Sequence, residues 1–320
     1  MLHRAIPSLL VVAAALGCAP KPGVDPRYRP TASLLEIVAV LRRHVPDDTY
    51  RFQAARDHTG RNVYRSSLLR LESLESAHGP ALRAGHMDGV IAFGKGRALE
   101  RLRAYDLAAQ QYEYAAERES ELRAEALRSA DLCDDLQETL SVSIDAVEPV
   151  GVDADAPIDL PAPSAVLGRF EERVARLEEL SRASEGTHHT AVVREEMERA
   201  DLERANYFVR LRDVTPDGDV RAAGELQRVA MRHEDSKNSS RHLLNLADFY
   251  ADLSIEYIDQ HPPESLTFDP AEFRDLVDSS ARLYEMVASR DGSTEKLEAA
   301  RRLEAFLAFS LSVDRDRFTP

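Results

Sequence analysis

From Pro30 to the C-terminus, apolar residues recur at helical spacing and almost never alternate, which confines the chain to an all-α fold. Ala, Leu, Glu and Arg dominate these stretches and β-branched runs are few, so local propensity points the same way. Leu34, Leu35, Ile37, Val38 and Leu41 form the stripe of a first helix, capped by Thr31 or Ser33 and ended by Val45-Pro46-Asp47-Asp48. Leu68, Leu69, Leu71 and Leu74 mark a second helix, for which His78-Gly79-Pro80 is the expected stop. Three helices with very short joins follow between Met87 and about Leu140.

Small side chains recur within those three helices. Tyr105-Asp106-Leu107-Ala108, followed by Tyr112 and Ala115, resembles the second helix of a tetratricopeptide repeat, with Ala92, Gly96 and Leu99 at the matching places of the preceding helix. A shift of one 34-residue period carries Ala92 to Ala126, Gly96 to Ala130 and Leu99 to Cys133, so small stays small at the close-contact position. Leu243, Leu246, Ala247 and Tyr250 have the spacing of another first helix. Its partner lies around Leu276, Ser280, Tyr284 and Val287, beyond a Pro-rich insertion from Gln260 to Pro270. The resemblance implies antiparallel hairpins stacked as a tetratricopeptide-like solenoid; an irregular helix bundle uses the same alternation of small and large residues. The last helix, Glu295 to about Val313, is expected to cap the stack.

Val147 to Pro163 holds four prolines and several Asp residues and reads as a linker or acidic loop. Beyond it, Val166, Leu167, Phe170, Val174, Leu177 and Leu180 define an amphipathic helix, and Ser184 to Thr187 a turn. A long charged helix then reaches about Val214, with Val193, Met197, Ala200, Ala205, Phe208 and Val209 inward, and Thr215-Pro216-Asp217-Gly218 ends it.

The N-terminus speaks to compartment. His3 and Arg4 precede an apolar stretch from Ile6 to Leu16, too short for the roughly 20 residues of a membrane-spanning helix. Ala15-Leu16-Gly17-Cys18 resembles the lipobox of bacterial lipoproteins, which implies that Cys18 is acylated and becomes the first mature residue. By the same resemblance, Ala19 in place of Asp points to the outer membrane and its periplasmic face. The expected organisation is a signal peptide at 1–17, a tether at 18–30, a helical region with the repeat at 31–146, a linker at 147–163 and a repeat-like helical region at 164–320.

A net charge of −15 repels a phosphate backbone, so nucleic acid is not an expected partner. Cys133, the only cysteine besides Cys18, is expected to be a small buried hydrophobe. Gly94-Lys95-Gly96 lacks Walker spacing and lies within a helix, and no nucleophile elbow is present. His188-His189 offers metal ligands alongside Glu195 or Glu196, but no His pair at i, i+4 exists and a solvated helix start is the expected state. Glu195-Glu196 and Glu171-Glu172 read as solvent-facing helix charges, and Asp57-His58-Thr59-Gly60-Arg61-Asn62 as a hydrogen-bonded turn. No catalytic, cofactor-binding or metal-ligating residue is assigned. The expected role is a non-enzymatic, lipid-anchored scaffold that grips an envelope protein or peptide in a helical-repeat groove, with Arg97, Arg101 and Asn245 as exposed groove positions. A glycan- or peptide-capturing lipoprotein is the alternative, and a cell-wall enzyme using Asp57, His58 or His188 a more distant one.

Overall fold

The computed structural model describes residues 61–84, 87–141 and 163–317. The lipobox with Cys18, the tether, the 31–45 helix, the Asp57–Gly60 stretch and nearly all of the 147–163 linker lie outside these residues. Within them the fold is all-α: α1 (Arg61–Ala84), α2 (Asp88–Arg101), α3 (Tyr105–Arg118), α4 (Arg123–Ser141), α5 (Pro163–Ala183), α6 (His189–Leu211), α7 (Gly218–Arg232), α8 (Ser239–Gln260), α9 (Pro270–Ala288) and α10 (Lys296–Arg317). The closest backbone approaches join chain neighbours, most thinly α4 and α5, while side chains of α6 also reach α2, α4 and α8. None of these helices is long and apolar enough to cross a membrane.

Small residues let α2 and α3 approach closely. A Cβ built on Gly96 would lie 2.7 Å from Cε1 of Tyr112, and one on Gly89 would lie 2.9 Å from Cβ of Glu119. The three-residue join is closed by Arg103 in the left-handed region (φ 66°), with the Ala104 amide donating to the Leu99 carbonyl at 3.0 Å. Ala92, Leu99, Tyr105, Ala108, Tyr112, Ala115, Ala126, Ala130 and Cys133 all lie in one buried cluster, and Gly96 is buried beside them. In the C-terminal half Leu246 and Ala247 are buried and Tyr250 half-buried. There Ser280 donates to the Ala247 carbonyl at 2.9 Å and Tyr284 to Asp248 at 2.7 Å, tying α9 to α8.

Two expectations about the helices need amendment. The helix expected to stop at His78-Gly79-Pro80 runs on to Ala84 with Pro80 inside it. An interior proline costs about 3 kcal/mol, but the extra turn places Leu82 fully inside a cluster with Tyr64, Leu71, Ile91 and Ala98. The charged helix does end where expected: a 3-10 turn spans Arg212–Val214 and Asp217 adopts φ 55°. A Cβ on Gly218 would stand 1.9 Å from the Arg212 carbonyl oxygen, so only glycine closes this turn. The terminal helix α10 leaves Leu297, Leu307 and Leu311 exposed, unlike the polar outer face of a solenoid cap.

The largest cluster also takes in Leu177 of α5 and Val192, Val193 and Ala200 of α6. The helices on either side of the 142–162 segment therefore share a core.

Candidate functional site

Helix α6 carries Glu195, Glu196, Glu198, Arg199 and Asp201 in a span of two turns. At 100° per residue such a run encircles the helix, and α6 is flanked on both sides. Acids on opposite faces are therefore buried, and each buried charge demands a partner.

Toward α2 and α3, Arg103 donates to Glu196 through Nε at 2.8 Å and a terminal nitrogen at 2.9 Å, in a bidentate pair. The Tyr105 hydroxyl adds a donor to Glu196 at 2.8 Å, and Arg199 donates to it at 2.5 Å. Glu195 accepts from Arg101 at 3.0 Å and from Lys237 at 2.6 Å. Burial alone would raise its pKa, but Arg101, Lys237 and Arg199 outweigh that effect and hold it down to about 2. Toward α7 and α8, Glu198 meets the His242 ring at 2.5 Å and accepts from Ser236 at 2.6 Å. Asp201, wholly buried, accepts from Arg228 at 2.9 Å and faces Nε2 of His233 at 2.9 Å. Both acids sit below the ordinary carboxylate range: burial pushes them up, and these partners push them further down. The expected solvent-facing Glu195 and Glu196 are thus anchors of α6, Glu195 half-buried and Glu196 buried. Glu171 and Glu172 are exposed, as expected.

The N-terminus of α6 docks on the ends of α2 and α4. His189 is 5% exposed, its Nε2 lying 3.0 Å from the Ser129 hydroxyl, and the His188 ring sits 3.7 Å from it between centroids. The expected solvated helix start is therefore a half-buried to buried pair. Nδ1 of His188 lies 3.2 Å from Glu125 Oε1 and 3.3 Å from an Arg97 nitrogen. Burial, and then the Arg97 charge, push His188 down to about 2, and His189 is lowered for the same leading reason, so both rings are neutral. Below them Glu100, with no exposed surface, accepts from Tyr112 at 2.8 Å through Oε2. Burial and the Glu100 charge raise the Tyr112 pKa, which keeps this phenol a donor. Ligand atoms of Glu100, His188 and His189 all lie within 4.8 Å of one another.

Arg97 and Arg101 are not exposed groove residues. Arg97 lies over Phe93 at 5.0 Å and pairs with Glu125, and the Arg101 side chain is 2% exposed. Asn245 is half-buried. Cys133 is buried, and burial pushes its thiol pKa up, leaving a protonated and unreactive group.

Two surface depressions lie in the C-terminal half. One, of about 250 Å³, runs between α7, α8 and α9 and is lined by Ala230, Met231, Leu243, Leu246, Leu283 and Met286, with Glu234 and Arg290 at its edge. Met231 is 66% and Met286 44% exposed. The other, of about 260 Å³, is lined by Ser, Thr, Lys237, Arg290, Asp291 and Glu295 and carries no aromatic ring. In it Arg290 donates to the Ser239 hydroxyl at 3.0 Å. Comparison with protein-family models, with curated proteins and with solved structures returned no match.

Proposed function

We propose that this chain is a lipid-anchored envelope scaffold whose stacked hairpins, of tetratricopeptide-like design, grip an amphipathic helix of a partner protein along the α7–α9 groove. The groove carries the reading. Leu243, Leu246 and Leu283 form an apolar floor between two exposed methionines, Met231 and Met286. Unbranched thioether side chains adapt to varied apolar anchors, and a helix laid in such a groove presents anchors at i, i+3 and i+4. Glu234 and Arg290 at the rim offer opposite charges that set the register of the bound helix.

The test is site-specific photocrosslinking in cells of the parent bacterium, on the full-length chain. A crosslinker at Met286 should trap one dominant envelope protein, and Met231→Glu should abolish that adduct. A crosslinker at Val220, exposed on α7 outside the groove, should not trap it. Equal trapping from Met286 and Val220, or a Met286 adduct indifferent to Met231→Glu, would retire the groove. The anchor is tested separately: Cys18→Ser should release the protein from the membrane fraction, and persistent attachment would defeat the lipoprotein reading.

A further inference from the structure

Two orphaned atoms belong to residues of one cluster. Among the described residues, Oε1 of Glu100 and Nε2 of His188 are both buried without a hydrogen-bond partner. Leaving such an atom unmet costs about 1–3 kcal/mol. The two residues that own these atoms lie together with His189 in the cluster described above. We infer that Glu100, His188 and His189 bind one borderline divalent transition-metal ion, of which Zn²⁺ is the probe of choice.

Donor chemistry favours that class of ion. Two neutral imidazoles and one carboxylate make a nitrogen–oxygen set that suits Zn²⁺ and leaves a fourth position open. Hard Mg²⁺ and Ca²⁺ favour all-oxygen shells. Each ligand is oriented by a group behind it, as in metal sites generally. Tyr112 holds Oε2 of Glu100 and turns Oε1 inward, and Ser129 steadies the His189 ring. Nδ1 of His188 is held between Glu125 at 3.2 Å and an Arg97 nitrogen at 3.3 Å, which fixes the ring and leaves Nε2 without a partner. Ligand atoms around tetrahedral Zn²⁺ lie about 3.3 Å apart, so closure from within 4.8 Å asks only for small side-chain rotations. His188 is half-buried, which gives the ion a way in.

One competitor is already in place. Nη1 of Arg97, itself buried without a hydrogen bond, stands 4.0 Å from Oε1 of Glu100 in a loose ion pair, while Nη2 pairs with Glu125 at 3.2 Å. An ion bound here would join α2 to the start of α6, across the 142–162 segment.

The experiment titrates the metal-stripped full-length chain in detergent with Zn²⁺ near pH 7, by calorimetry and by competition with a chelating dye. One equivalent should bind and raise Tm. His188→Ala and Glu100→Gln should each weaken binding by at least tenfold, while His261→Ala, on the distant α8–α9 connection, should leave it unchanged. Co²⁺ gives a readout that needs no variant: hyperfine-shifted imidazole resonances from two histidines. Failure of the unmodified chain to bind one equivalent overturns the inference. So does binding that survives both substitutions, or a Co²⁺ spectrum without two histidines.

Discussion

Gly96→Ala isolates the contact on which the stacking depends. In an exposed helix interior this change gains about 1 kcal/mol of propensity. Here the new methyl carbon would lie 2.7 Å from Cε1 and 2.8 Å from Cδ1 of Tyr112. That is about 1 Å inside the 3.5–4.0 Å optimum for carbon pairs. Tyr112 has little room to retreat: it is fully buried, its hydroxyl is committed to Glu100, and Phe93 packs edge-on at 5.4 Å. Overpacking of a filled core costs about 1–3 kcal/mol, and because neither helix backbone can yield freely the upper part of that range applies. The net expectation is a loss of about 1–2 kcal/mol. Gly168 on α5 supplies the contrast, since it is exposed and nothing lies within 4 Å of its added methyl. Gly168→Ala should gain about 0.5–1 kcal/mol. Urea unfolding of both variants reads the difference as midpoints of opposite displacement at constant m. A Gly96→Ala midpoint at or above the parent value would refute the close approach of α2 and α3.

Other outcomes follow from the junction and its turns. Arg103 holds a left-handed conformation that costs about 1 kcal/mol for a residue with a Cβ. Both Arg103→Ala and Arg103→Gly lose the Glu196 pair, so the glycine variant should be more stable by about that amount; equal urea midpoints would show the turn is unstrained. Gly218→Ala should cost at least about 3 kcal/mol, read in the same way, because its clash is with backbone. Asp201→Ala leaves the buried His233 without its carboxylate, while Arg228 keeps Glu225, and should cost about 1–3 kcal/mol, measured by thermal and urea unfolding. The folded-state pKa values of Glu195, Glu198 and Asp201 are depressed. Their stabilisation is present above the unfolded carboxylate range near 4 and is lost as pH falls through the folded values, toward about 2 for Glu195. Stability should therefore drop steeply below about pH 4, and Glu195→Gln should shallow that limb; an unchanged slope would remove Glu195 from the cause.

Local pattern determined the helical class, the outer limits of the three-helix run α2–α4, and the burial of Ala92, Gly96, Ala108 and Ala130, because helical period and side-chain size are properties of a single segment. The same holds for the inward row of α5 and for the stop at Thr215–Gly218, where turn chemistry is written in four adjacent residues. Continuation of α1 through Pro80 was hidden, since the compensation is Leu82 entering a cluster with Ile91 and Ala98 of the next helix. The environments of Glu195, Glu196, His188, His189, Arg97 and Arg101 were hidden more deeply. Their partners lie on other segments of the chain, 93 residues away in the case of Arg103 and Glu196, and no spacing rule reaches that far. The one legible hint was an acidic run wrapping fully around α6, more than a single solvated face can hold. Only the docking of α6 against α2 and α4 on one side and α7 and α8 on the other decided which of those charges meet water and which meet each other.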